Sequence, residues 1–413
     1  MEGSSGAPPV RLVVRDDLVR SRLTVGFRLI LAVPHLLWLL LWLVLATNVA
    51  LANAIAALVS GKPSPMLHRF LQAYLRYAVH VGAFVGLAAN PFPSFTGAPR
   101  SYPVDLEIDP PAPQRRWVTA FRLILGIPAF LLADSLVGFG ASLAGGAATF
   151  SGGVAGTVAF LAWFACLVRA RMPEGFRNLQ AYALGYAAQV GAYLFLLTDR
   201  YPNSDPALYE ALNTYRVDPI GLEVDDDLRR SRLTVAFRLI LAVPHFTWLL
   251  LWGVAVFFAS IANWFATLFK GRSPDSLHRF IAAYLRYQTH VYAFVGMVAN
   301  PFPGFVGRAG SYPVDLEIDP SRPQSRRVTG FRLILAFPAL LVAGALSTPA
   351  TLVAIFGWFT SLFTARMPVG LRNLGAYSIR YNAQTYGYAA LLTDRYPFSG
   401  PTTGGRQLRF EGI

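Results

Sequence analysis

Six histidines fall into three pairs 210 residues apart: His35/His245, His68/His278 and His80/His290. His35 and His80, and likewise His245 and His290, would share a layer if the two segments that carry them run antiparallel. Two imidazoles so placed can ligate haem or a transition metal. No HxxxH, HExxH or second Cys accompanies them, and a hydrogen-bonded histidine in a helix bundle explains the same residues. Four arginines, Arg28, Arg122, Arg238 and Arg332, hold the second position of a recurring Phe-Arg-Leu-Ile-Leu-x-x-Pro. A cation in so apolar a segment must reach the membrane interface, water or a carboxylate. Its planar fork suits a lipid phosphate; an internal acid such as Asp109 or Asp319 would serve equally.

A second basic series, Arg69, Arg177, Arg279 and Arg372, opens a Tyr-rich segment in which Tyr74 and Tyr284 follow in two of the copies. Arg76 and His80, with Arg286 and His290, continue along the same segments. Arg and Tyr three or four positions apart share a helical face. Such a face can bind anionic lipid, or line a passage through Arg76, Arg286, His80 and His290. It can also be an interfacial belt of Tyr and snorkelling Arg. No paired carboxylates, Walker loop, GxSxG or dinucleotide fingerprint appears, so no catalytic residue and no cofactor is assigned. Cys166, within an apolar run, has no partner for a disulfide.

The elements that position these residues come from internal repetition. Residues 11–35 return at 221–245 with 20 of 25 positions identical, and Ser-Tyr-Pro-Val-Asp-Leu-Glu-Ile-Asp-Pro stands at both 101–110 and 311–320. The chain divides into halves, 1–216 and 217–413, and into units 10–100, 101–216, 217–310 and 311–413. Each unit opens on a short alternating segment that reads as a half-buried strand. The arginine signature and a long apolar run follow, then a basic Pro-containing turn and the Tyr-rich helix. Residues 127–168 are too long for one crossing and are interrupted by a Gly-rich stretch. A break is also expected at Ser347-Thr348-Pro349.

Of the 413 residues, 54% are hydrophobic and only 14% charged, outside the usual range for a soluble globular protein. Residues 34–60 hold no Asp, Glu, Lys or Arg, long enough to cross a hydrocarbon core. The expectation is an all-α polytopic membrane protein, with about eight transmembrane helices as four tandem helical hairpins, each preceded by a strand. Equal pairs of crossings would give every unit one orientation. The net charge of +14 is spread over the ends of the apolar runs. Anionic membrane lipids are therefore the expected partners, and nucleic acid is not. No signal peptide is visible, and the termini and connectors carry more Lys and Arg than the hairpin turns. They are therefore expected on the cytoplasmic side. The richness in Ala, Gly, Val and Arg suits a GC-rich bacterial source, and the bacterial plasma membrane is the expected location.

Phe-Arg-Leu-Ile-Leu-Ala-x-Pro-His, the Gly-Lys-Pro-Ser-Pro turn, His-Arg-Phe-x-x-Ala-Tyr-Leu-Arg-Tyr and Leu-Leu-Thr-Asp-Arg-Tyr-Pro together resemble a bacterial membrane-protein family, domain of unknown function 4389. The resemblance covers nearly the whole chain as tandem copies. Odd units depart from it by ending in Ala-Asn-Pro-Phe-Pro, and even units by Pro-Ala in place of Pro-His. It implies a class of membrane protein and assigns no reaction, ligand or site residue.

Overall fold

The computed structural model describes residues 8–138, 152–214 and 216–402. They form two compact bodies, Met1–Asn203 and Ser204–Ile413. In the first body the order is β1 (Val10–Val14), α1 (Arg22–Ser60), α2 (Pro65–Val85), β2 (Val104–Ile108), α3 (Arg116–Val137), α4 (Gly153–Arg169) and α5 (Glu174–Leu194). The second opens on a 3-10 turn at Pro206–Leu212. It continues with β3 (Ile220–Val224), α6 (Arg232–Lys270), α7 (Asp275–Val295), β4 (Val314–Ile318), α8 (Arg326–Gly330), α9 (Arg332–Thr364) and α10 (Val369–Ala389).

Local signals set these boundaries. Ser21 caps α1 by accepting from the Thr24 N–H, and Gly61 closes the helix in the left-handed region at φ +74°. Ser231 and Gly271 do the same for α6. The signature prolines Pro34, Pro128, Pro244 and Pro338 all lie inside helices. α9 also runs unbroken through Pro349, where the sequence suggests a break; Thr351 Oγ1 donates to the Ser347 carbonyl there. The Gly-rich interruption expected between α3 and α4 lies mostly outside the described residues.

Four helices, α1, α3, α6 and α9, are long and apolar enough to cross a membrane, and α4 is a shorter apolar helix of 17 residues. The expected count of eight is not reached among the described residues. The Tyr-rich helices α2, α5, α7 and α10 hold too many polar side chains, and they form an inner layer. α2 lies between α1 and β2, and α5 between α3, α4 and β1. The core of the first body joins Leu71, Leu75, Ala83 and Phe84 of α2 to Val104 and Leu106 of β2. Ile281, Leu285, Phe294, Val314 and Leu316 repeat the pattern in the second.

The strands form where alternation places them, and they pair across units. β1 runs antiparallel to β2 with Leu12 opposite Leu106, and β3 runs antiparallel to β4 with Leu222 opposite Leu316. The two units of the first body are therefore inverted, contrary to the single orientation expected. α3 starts beside the end of α1, where the Gln114 N–H donates to the Gly61 carbonyl. α4 ends beside the start of α1, where Arg22 donates to the Val168 carbonyl. The physical cause is the connector. β2 and the segment after it return along the hairpin, as β4 and its following segment do in the second body, so each odd unit makes three passes instead of two.

Candidate functional site

The four signature arginines are buried, with Arg28 2% exposed and Arg332 0%. Each grips the C-terminal end of a Tyr-rich helix. Arg28 Nη1 donates to the carbonyls of Phe84 and Ala89, Nη2 donates to Asn90 Oδ1, and the guanidinium stacks 4.5 Å from the Phe84 ring centroid. Arg238 repeats this with Phe294, Ala299 and Asn300. Arg122 reaches the carbonyls of Tyr193 and Thr198 and Gln114 Oε1. Arg332 reaches the Thr393 carbonyl, Gln324 Oε1 and, at 2.8 Å, Asp394. Their acceptors are thus carbonyls and side chains at the helix ends, joined by Gln114 or Gln324 in the even units and by the Asp394 carboxylate at Arg332; neither Asp109 nor Asp319 is among them. The last carbonyls of a helix lack internal partners and carry partial negative charge, which a guanidinium satisfies with two or three donors at once.

Sequence reasoning passed over a second polar group at the same ends. Arg20 donates to the Leu87 carbonyl and forms a buried bidentate pair with Asp16 at 2.7 and 3.0 Å. Arg230 and Asp226 repeat it against Met297. In the even units Gln114 and Gln324 take its place, donating to the carbonyls of Leu196 and Leu391. Leu87, Leu196, Met297 and Leu391 all sit at positive φ, the backbone state that ends a helix in the left-handed region. A register signal was available: each of these polar residues stands eight positions before a signature Arg.

The proposed passage residues converge on one carboxylate in each body. Asp105 Oδ1 accepts from His80 Nε2 at 2.9 Å and from the Leu106 N–H at 2.7 Å, with Arg76 Nε 3.5 Å away. Oδ2 accepts from the Arg100 N–H. Arg76 also donates to the carbonyls of Leu106 and Gly97, and Tyr102 lies against the His80 ring. Burial pushes the Asp105 carboxyl up, but its hydrogen bonds from His80 and the backbone outweigh this and hold it below the usual range. Asp315 repeats the arrangement with His290, Arg286 and the Gly310 N–H. The result is a latch fastening the middle of α2 to β2, and of α7 to β4. Gly97, at φ +58°, crosses α2 so closely that a Cβ there would collide with the Ala73 carbonyl. Gly97→Ala is expected to cost about 2 kcal/mol, from strain at positive φ and the collision. A thermal unfolding series in detergent reads that loss.

His35 and His80 have separate partners. His35 Nδ1 shares a 2.6 Å hydrogen bond with the Tyr77 hydroxyl, and its ring stacks 4.3 Å from Phe95 and lies 4.4 Å from Phe92. His245 does the same with Tyr287, Phe302 and Phe305. His68 contacts Gln72, and His278 the Leu392 carbonyl. Among the described residues no group of three or more His, Cys, Asp or Glu is placed to hold a metal ion. Of the second arginine series, Arg69 and Arg279 are exposed, Arg177 is buried against Asn178, and Arg372 is half-buried. Tyr74 packs edge-on to Trp42 and Phe195, and Tyr284 edge-on to Trp252.

The second body holds a cavity of about 740 Å³ between α6, α7, α9 and α10. Leu239, Val295, Ala354, Ile355, Trp358 and Ile379 give it an apolar wall, and Ser378 and Asn382 add two polar points. In α5 of the first body, the positions equivalent to Gly375 and Ile379 are Gln180, which donates to the Ala155 carbonyl, and Leu184.

No curated protein and no solved structure matches the chain. A family model does match, four times in tandem, at residues 22–96, 116–204, 232–306 and 326–399. Each match starts at or just before a long apolar helix and runs past its arginine-clamped partner. With these four copies spanning most of its length, the chain belongs to the family described as domain of unknown function 4389.

Proposed function

We propose that this protein is a non-enzymatic scaffold that binds lipid in the plasma membrane of a bacterium, with its termini and strands on the cytoplasmic face. One observation carries the reading. The outward faces of α1, α3, α6 and α9 are exposed and apolar along their length, from Leu23 and Ile30 through Leu41 to Val59 in α1 alone. Contiguous apolar surface on that scale marks a membrane or partner interface. The polar groups that could have done chemistry are meanwhile committed to helix ends and to the strand latch. Arg69 and Arg279, which stay exposed one turn into α2 and α7, are two of the cations open to anionic headgroups.

Flotation of the purified protein with vesicles tests this. Arg69→Glu combined with Arg279→Glu is expected to weaken recruitment to vesicles containing phosphatidylglycerol several-fold, while leaving binding to phosphatidylcholine vesicles and the melting temperature unchanged. Equal binding of wild type and variant to both compositions would reject headgroup contact at these positions. The apolar cavity fits the same reading, since its volume of about 740 Å³ and its apolar wall suit a hydrocarbon chain. Ala354→Phe, which narrows that space, is expected to lower the phospholipid retained per protein after purification. Mass spectrometry of the extracted lipid measures the change.

A further inference from the structure

We infer that each body lies in a single leaflet, with its long helices parallel to the membrane plane, instead of crossing the bilayer. The inference rests on the membrane reading above and concerns only how the surface is engaged. α1 has 39 residues and is therefore about 58 Å long, nearly twice the roughly 30 Å of a hydrocarbon core. α2 runs back along it, as the contacts Arg28 to Phe84, His35 to Tyr77 and Asn53 to Ser64 show. β2 is fastened to the middle of that hairpin. Its Asp105 meets His80, its Leu106 meets Arg76, and the carbonyls of Ile108 and Asp109 meet Gln72. β1 completes an isolated two-stranded sheet at the same height.

A transbilayer hairpin would carry this sheet into the hydrocarbon with it. The strands bear Arg11 and Glu107, and Asp109 follows β2 directly; their side chains are 37%, 44% and 47% exposed. Charges at that depth are strongly disfavoured, and an open sheet edge there leaves backbone groups without partners. Because the second unit is inverted on the first, sliding the bilayer toward either end of α1 does not help: it would take in the start of one unit's hairpin with the end of the other's. A surface orientation removes the conflict. β1 and β2 then face water above α2 and α5, and the exposed apolar faces of α1 and α3 enter the acyl boundary. Arg22, Lys62 and Arg116, at the helix ends, reach the headgroups. Trp38 and Trp117, 43% and 59% exposed, lie on these same helices as interfacial anchors. β3, β4, α6 and α7 repeat the geometry, with Arg286 bound to the Leu316 carbonyl and His290 to Asp315.

Cysteine topology in the full-length protein decides between the two orientations. In a Cys166→Ala background, Lys62→Cys or Lys270→Cys marks a hairpin turn, and Ser94→Cys or Gly304→Cys marks a connector. A membrane-impermeant maleimide is applied to right-side-out and to inverted vesicles. All four positions are expected to label from the same side only, with at least a tenfold preference. Turns and connectors labelling from opposite sides would overturn the in-plane orientation and leave lipid binding intact. Release of the wild-type protein from membranes by alkaline carbonate would instead remove the membrane reading on which this orientation depends.

Discussion

Arg28→Met is expected to destabilise the protein by about 3 kcal/mol or more, and Arg28→Lys to recover only part of that loss. A buried acceptor left without a donor costs about 1–3 kcal/mol; the substitution strips the Ala89 carbonyl of its donor, leaves the Phe84 carbonyl only the Leu87 N–H, and removes the stacking on the Phe84 ring as well. A lysine ammonium reaches one of these groups as a point donor and cannot reproduce the fork or its stacking on Phe84. The same change at Arg238 is expected to act on the second body, whose contacts match. Thermal unfolding of the detergent-solubilised variants measures both. A melting temperature unchanged within a degree at Arg28→Met would mean that the clamp contributes nothing to stability.

Asp105→Ala is the other large effect, expected at about 3–5 kcal/mol because it leaves Arg76 and His80 buried without their carboxylate. It also carries a pH signature. The folded-state pKa of Asp105 lies below its unfolded value, so the folded state favours the ionised form. The stability this adds is present above the ordinary carboxylate range. It is lost as pH falls through the folded value. Melting temperature followed downward from pH 6 is therefore expected to drop for the wild type. The decline should be shallower in the double variant Asp105→Asn, Asp315→Asn, which starts from lower stability. Parallel declines would assign the acid sensitivity to other carboxylates.

Much of this architecture was legible in the sequence because local signals write it. The fourfold signature points to the four tandem copies that the family model matches, and the alternating Val-Asp-Leu-Glu-Ile-Asp marks the short strands. The crossing count was not legible. A hydropathy pattern records that residues 65–85 are moderately apolar, but not that the opposite face of that helix is covered by a strand twenty residues further on. The roles of the arginines were hidden for a related reason. Arg28 is satisfied by backbone carbonyls, which every residue has, so no side chain in the sequence advertises the partner. Asp105 read as one more acid in an alternating strand, and only tertiary packing brings it to His80 and Arg76. Arg20 and Gln114, of different residue types, do one job at helix ends, and repeat comparison by identity passes over such a substitution.

The lipid-binding scaffold is tested most directly by native mass spectrometry of the wild-type protein in mild detergent, taken together with its visible absorption spectrum. The expected result is a colourless protein that retains anionic phospholipid in near-stoichiometric amount. A lipid-free protein with a Soret band, or with one metal ion per half, would contradict it and return His35, His80, His245 and His290 to the centre of the chemistry.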